Sequence, residues 1–587
     1  MSFPLSGHKK LLGRYLAPQR WRVFGLAALL LAGIGLQLIN PQVVRYFIDT
    51  AQAGGPLNNL LVASLAFLIV GLSARALSLA ASYTGMQVAW AATNALRADL
   101  LSHVLRLDMP FHKLHTPGEL IERVDGDPGM LGGFFGQTVV KTAANVLLVA
   151  GILAFLYRED ARAGITLTIY AALAVTALAT LQGYGTRRWA ASRQAWAEQN
   201  GYIEEHLAGA EDIRGVGAEA YVQSELTTLA RKVLVVERSA RMSQALGASV
   251  TGFLYVVGYS MGLAVGALLY LRGEVSIGTA FVIVYYIGML ASPLDALREE
   301  AGNLQQATAG VQRIESILAT RPVVREALSA ELPDGALELE LDDVSFTYRD
   351  RPDMAAGDRA LEDISFRLMP GRALGVLGRT GSGKSTLSRL LFRLYDPDAG
   401  SIWLGGADLR DIGLSDLRRR AGMVTQDVQL FEGSLRDNIA LFNPSVKDAA
   451  IWEALAALGL RGWVEAMPDR LDTEVATGGG NLSAGEAQLV AFARLLLRDP
   501  GLVILDEAAS RLDPNTERRL ERAIDVLLLD RTAIIIAHRI ETLLRSDDIL
   551  VLEGGRVAEF GRRVELAADP NSRFSHLLRA GLEEALA

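Results

Sequence analysis

The run GRTGSGKST, Gly378 to Thr386, carries glycines at 378, 381 and 383, then Lys384 and Ser385, in the order G-x-x-x-x-G-K-[ST]. Glycines at that spacing let successive backbone N–H groups converge on phosphate oxygens. The N-terminus of a following helix adds positive potential. Lys384 can reach the β- and γ-phosphates of a nucleotide, and the Ser385 hydroxyl can ligate Mg²⁺. Thr380, Ser382 and Thr386 complete the set of loop residues expected to touch the nucleotide.

A second run, LVILDEAAS, reads as a buried strand ending in Asp506 and Glu507. Asp506 is placed to hold Mg²⁺, directly or through water. Glu507 is placed to polarise an attacking water as general base. Taken alone, the pair is equally well a surface acidic pair at a strand end. Three further residues carry weaker signals. His538 ends the run TAIIIAH and can donate to a γ-phosphate. Gln426 follows AGMVT and can ligate Mg²⁺ or position water. Tyr348, in FTYRD, can stack on a purine ring.

These residues need a scaffold, and the sequence supplies one. LELELDDVSFTY alternates at period two, as a half-buried strand does. ALGVLG, LVILD and TAIIIAH are apolar runs alternating with helical stretches, and ILVLEGGRV contains a Gly-Gly turn expected of a hairpin. The phosphate loop lies between the strand ALGVL and the helix KSTLSRLLFRLY. The chain from 336 to 587 is therefore expected to be an α/β P-loop domain, preceded by a linker over 319–335.

Residues 1–318 differ in character. Of the 587 residues, 50% are hydrophobic and 21% charged, a mixture of membrane and soluble parts. A membrane span needs about 20 mostly apolar residues. Six runs qualify or nearly so, beginning near Val23, Leu60, Asn145, Gly164, Gly252 and Thr279. Lys9, Lys10, Arg14, Arg20 and Arg22 precede the first run, and Arg187 and Arg188 follow the fourth, which puts the N-terminus in the cytoplasm. Arg158, Arg162 and Arg272 then fall outside, in loops too short to outweigh that cluster. No A-x-A-like cleavage pattern follows the N-terminus, which argues against a removed signal peptide. Two long polar stretches, from about Arg97 and about Arg187, are then cytoplasmic, and each contains a helix break: PFHKLHTPGELIERVDGD and EEHLAGAEDIRGVGAEAY. The fold class expected is a membrane all-α six-helix domain followed by an α/β ATPase domain. The net charge of −8 calls for no nucleic acid, and the absence of cysteine excludes disulfides, cysteine-ligated zinc and thiol catalysis.

With these motifs in this order, the chain resembles a half-transporter of the ATP-binding cassette (ABC) exporter family over nearly its whole length. The resemblance makes 378–386 the Walker A loop, 502–507 the Walker B strand, Gln426 the Q-loop glutamine, His538 the switch histidine and Tyr348 the adenine-stacking tyrosine. SRLD, Ser510 to Asp513, takes the place of the D-loop. It implies ATP and Mg²⁺ as cofactors, ATP hydrolysis coupled to transport, and a multi-pass protein of the cell membrane. The two cytoplasmic breaks resemble coupling helices. In this family two ATPase domains close head to tail, so each ATP lies between one domain's Walker A loop and the other's signature, and a dimer is implied.

The signature itself departs from the usual LSGGQ. Here it reads Ser483, Ala484, Gly485, Glu486, with alanine for glycine and glutamate for glutamine. Ser483-x-x-Glu486 is also a capping box, on which reading the change is neutral. Alternatively, a carboxylate at the helix N-terminus opposes the field that the partner's γ-phosphate needs, and the Ala484 methyl restricts backbone approach. The second reading makes this chain, with its Walker motifs intact, one half of a heterodimer whose partner has a sound signature and an altered Walker B glutamate. Cargo would be hydrophobic or amphipathic: drugs, lipids or peptides. Tyr255, Tyr259, Tyr285 and Tyr286 are candidates for a transport cavity or for helix packing; Arg75, Lys141 and Asp295 for a counter-charge or for interfacial pairing. The alternatives are a homodimeric exporter, an importer of metal chelates on the same fold, and a soluble P-loop ATPase with its apolar runs in a core.

Overall fold

The computed structural model describes residues 13–133, 139–325, 330–348, 359–506, 514–536 and 540–586. The chain divides into two compact units. One comprises Met1–Leu105 with Pro117–Thr320, the other Arg106–Thr116 with Arg321–Ala587. The division falls inside the expected linker. The short segment Arg106–Thr116, expected to belong with the membrane part, goes with the second unit.

The first unit is helical. Its long helices are α1 (Arg20–Gln52) and α2 (Leu57–Arg106), followed after α3 (Met109–Leu114) of the second unit by α4 (Val139–Glu159), α5 (Ala161–Ala208), α6 (Glu219–Leu271) and α7 (Ile277–Ala319). Among the described residues these helices contain the six apolar runs that the sequence marks. Four are long and apolar enough by themselves to cross a bilayer, and α5 and α7 contribute the apolar stretches Ala161–Ala177 and Ile277–Leu290. At about 1.5 Å per residue, α2, α5 and α6 each run for more than twice the hydrocarbon thickness, so they project well into the cytoplasm. The breaks sit within the polar stretches that the sequence marks. In the second, Gly217 adopts φ 67° and lets the chain restart at Glu219.

The outer turns are capped by side chains. Asp160 accepts from the amides of Arg162 and Ala163 at the start of α5, and Ser276 accepts from Thr279 at the start of α7. Helix α6 presents Gly258, Gly262 and Gly266 to its neighbours, all buried. A Cβ at these positions would run into the Tyr170 ring, the Ile287 side chain and Ala280 respectively. Small residues here let the helix backbones pack closely where no hydrophobic drive operates between spans.

At the outer ends of the spans, polar groups join α1 to α4 and α7. Arg45 bonds Glu159 at 2.6 Å, and Gln42 donates to Glu159 at 3.0 Å and to the Tyr286 hydroxyl at 3.3 Å. Asp49 accepts from the Ser276 hydroxyl and the Gly278 amide, both at 2.9 Å. Tyr286 is fully buried and donates to the Leu38 carbonyl at 2.7 Å, so its role is helix packing and not cavity lining. Tyr255, Tyr259 and Tyr285 remain 38% exposed. Arg75 and Lys141 are exposed too, and the Asp295 side chain lies outside the described residues.

The second unit is α/β. Strands β1 (Leu339–Phe346), β2 (Leu361–Leu368), β4 (Ala399–Leu404) and β5 (Ala407–Asp408) form an antiparallel sheet in the order β2-β1-β4-β5. The central sheet joins β3 (Ala373–Leu377), β6 (Ala421–Val424), β9 (Leu502–Asp506), β10 (Thr532–Ile536), β11 (Asp548–Glu553) and β12 (Arg556–Arg562) in the order β12-β11-β3-β10-β9-β6. A small pair, β7 (Gly433–Ser434) and β8 (Glu474–Val475), stands apart. The expected hairpin is β11–β12, turning at Gly554 and Gly555 with positive φ.

In the central sheet the strands from β11 to β6 are parallel and covered on both faces, which is why they read as unbroken apolar runs. Leu374, Val376, Ile504, Ile534 and Ile536 enter one core, and Ala373, Val503, Leu505, Ala533 and Ile535 the other. Register aligns the strand ends. Ile536 pairs with both Val376 and Asp506, so the chain leaving β3, β10 and β9 emerges at one edge. That edge, at the carboxyl ends of parallel strands, is where open α/β sheets bind ligands.

Candidate functional site

The loop after β3 leads into helix α8 (Lys384–Leu391). Gly378 has φ 153° and Gly383 φ 102°. A Cβ on Gly378 would overlap the Leu552 carbonyl and Ser382, and one on Gly383 would meet Ala360 and Leu361, so only glycine fits at either place. Thr380, Gly381 and Ser385 are exposed or half-buried, and Ser382, Lys384 and Thr386 are buried. Lys384 turns its Nζ onto the carbonyls of Gly378 (2.6 Å) and Arg379 (3.1 Å). The buried Ser382 hydroxyl has no hydrogen-bond partner among the described residues. A glycine cradle, a folded-in ammonium and an orphaned hydroxyl fit a polyphosphate, which would satisfy all three.

Asp506 ends β9, half-buried, at the same edge of the sheet and two strands from β3. Val424 pairs with Leu505, so Gln426, exposed two residues beyond β6, leaves the sheet next to Asp506. Glu507, Asp513 and His538 lie outside the described residues. The strands that lead to Glu507 and His538 run side by side, so both chains depart from the edge that carries the phosphate loop.

Tyr348, expected to stack on a purine ring, is packed among side chains of its own unit. It is 6% exposed and stands nearly perpendicular to Phe346 and Tyr395, with ring centroids 4.9 and 5.3 Å away. Its hydroxyl donates to Thr386 Oγ1 at 3.3 Å and accepts from Arg389 Nη1 at 3.0 Å. Arg389 therefore links the tyrosine to α8. Burial works against its charge, but the Tyr348 hydroxyl and the negative potential of Asp506 outweigh that and hold its pKa above the ordinary value. Sequence reading passed over Arg389. The available signal was its position three residues after Thr386 on one helix, which puts both on the same face.

The signature opens helix α9 (Ala484–Arg498). Ser483 is the N-cap, and both halves of a capping box are made. The Ser483 hydroxyl accepts from the Glu486 amide, while the Glu486 carboxylate accepts from the Ser483 amide and hydroxyl, each at 2.9 Å. Trp463 Nε1 adds a third donor at 3.2 Å. Ala484 is exposed on the first turn and Gly485 is buried. Nothing in the sequence marked Trp463, which reaches Glu486 from a separate helix.

Comparison with known proteins agrees with this arrangement. The ABC transporter transmembrane region family matches residues 23–294, and the ABC transporter family matches residues 361–510. The chain is 33% identical to an ATP-dependent lipid A-core flippase of Pseudomonas fluorescens, covering 83% of this chain and 80% of that one. It is 31% identical to a fatty acid ABC transporter ATP-binding/permease protein of Mycobacterium bovis, covering 81% and 74%. Among solved structures, a bacterial Atm1-family ABC exporter with ATP bound superposes with TM-score 0.81 at 25% identity, over 96% of this chain and 98% of that one.

Proposed function

Because the chain belongs to the ABC transporter family, as a membrane-spanning exporter half with its ATP-hydrolysing domain in the cytoplasm, we propose that it exports lipid-like amphipathic molecules as one of two unlike subunits. In this reading the 378–386 loop and Lys384 hold the triphosphate and Tyr348 takes the adenine. Ser385, Gln426 and Asp506 would hold Mg²⁺, which neutralises phosphate charge when bound. Glu507 accepts the proton of the attacking water, and His538 donates to the γ-phosphate. Asp513 would serve as the D-loop aspartate.

The lipid-like cargo class is carried over from the relatives' lipid and fatty acid substrates. Half-exposed aromatic pairs support it: Tyr255 with Tyr259 on α6, and Phe281 with Tyr285 on α7, each with centroids 5.9 Å apart. Rings with an apolar body and a polar tip suit a ligand that is itself amphipathic. Stimulation of ATPase activity by added lipids or fatty acids, and none by short peptides, is the expected pattern. The reverse pattern would reassign the cargo.

The unlike partner is supported by one observation above the others: Glu486 already occupies Ser483. The serine hydroxyl and amide both donate to a carboxylate, the charge type that a γ-phosphate on the partner would present. An ATP facing this signature competes with an internal anion and meets its repulsion. Glu486→Gln keeps the capping box, because glutamine serves at that position equally well, and removes the charge. In a preparation of this chain alone, the substitution is expected to raise ATP turnover about 3- to 10-fold, in line with ~1 kcal/mol for a charge at a helix N-terminus. Unchanged turnover, with wild-type activity already full, would establish a working homodimer and a neutral signature.

A further inference from the structure

Helix α3 (Met109–Leu114) lies between spans in sequence yet belongs with the second unit. Met109 packs on the apolar cluster that contains Tyr348 and Tyr395. Just before the helix, the Asp108 carboxylate accepts from the amides of Val323 and Val324. At its other end, Lys113 Nζ stands 4.6 Å from the centroid of the Tyr348 ring and 5.4 Å from that of Tyr395. An ammonium is drawn to the negative face of a phenol ring, which is also the face on which a purine stacks. Tyr348 is 6% exposed, its hydroxyl is anchored by Thr386 and Arg389, and Phe346 and Tyr395 stand almost perpendicular to it. Base stacking and this packing therefore exclude one another.

We propose that Lys113 competes with adenine for the face of Tyr348, so that the arrival of an adenine nucleotide frees the Lys113 end of α3. Lys113 is thus a positioning residue of the base site, supplied by the first cytoplasmic stretch. It converts recognition of the base, as distinct from the phosphates, into release of a segment continuous with α2. The proposal rests on the reading of Tyr348 as the base-stacking residue.

The test is calorimetric titration of the full-length protein in detergent, without Mg²⁺ so that ATP is not consumed. Two ligands are compared, ATP and inorganic triphosphate, which has no base. Lys113→Ala and Lys113→Met, the second keeping the packing of the stem, are each expected to bind ATP about 2- to 10-fold more tightly than wild type, with triphosphate affinity unchanged. Tyr348→Ala is expected to weaken ATP binding alone, and in that background Lys113→Ala should have no further effect. A residue that merely holds α3 in place would not produce a base-specific gain. If Tyr348→Ala weakens ATP binding but neither Lys113 variant tightens it, the competition is overturned and the base site stands. If Tyr348→Ala leaves ATP affinity unchanged, the base-stacking reading falls and the proposal falls with it.

Discussion

Glu507→Gln in the assembled transporter is expected to cut ATP hydrolysis about 10²- to 10⁴-fold while ATP stays bound. The substitution preserves size while removing the negative charge and with it the proposed capacity of Glu507 to take a proton from water. The groups proposed to bind the nucleotide come from other places: the glycine cradle after β3, Lys384 and the Ser382 hydroxyl. Binding and proton transfer should therefore separate cleanly. Phosphate release under saturating ATP measures the first effect, and nucleotide retained after rapid desalting measures the second. Turnover within a factor of about two of wild type would place the general base elsewhere. In a heterodimer with one productive site the loss should be nearly complete, because no second site makes up for it.

Lys384→Met should act at the opposite end of the cycle, weakening ATP binding by about 10- to 100-fold, the range for losing a hydrogen bond between charged groups. Methionine keeps the stem packed at a position only 7% exposed. The ammonium now bonds the Gly378 and Arg379 carbonyls, so a phosphate must draw it away from the loop's own backbone. Those two carbonyls lose a donor in the variant, a cost to the empty loop that stays small because the loop surface is open to water. Equilibrium titration checks affinity and a melting curve checks the fold. Wild-type affinity in a folded variant would mean that Lys384 does not touch the phosphates.

Legibility tracked the range of the interactions concerned. The phosphate loop was readable because its demands are local: positive φ at Gly378 and Gly383, and a lysine at the start of the next helix. Strands β3, β9 and β10 were readable because burial on both faces leaves an unbroken apolar run. The spans were readable because the bilayer demands length and hydropathy. The burial of Tyr348 was not, since it depends on Phe346, Tyr395, Arg389 and Lys113, which meet only in the folded chain. The attachment of 106–116 to the second unit is a long-range matter of the same kind. For Glu486, the local pattern allowed both a helix cap and an electrostatic obstacle. The structure makes the cap, and the obstacle proposed for a partner's nucleotide rests on the same carboxylate.

The ties among Arg45, Gln42, Glu159, Asp49 and Tyr286 bear on what it takes to part the outer ends of the spans. They fasten the outer ends of α1, α4 and α7 to one another through charged and hydrogen-bonding groups, next to an apolar cluster in which Leu38, Leu156, Ile283 and Tyr286 of the same helices are buried together. Each polar tie can exchange its partner for water at modest cost, so resistance to separating these helix ends falls chiefly on the apolar cluster beside them.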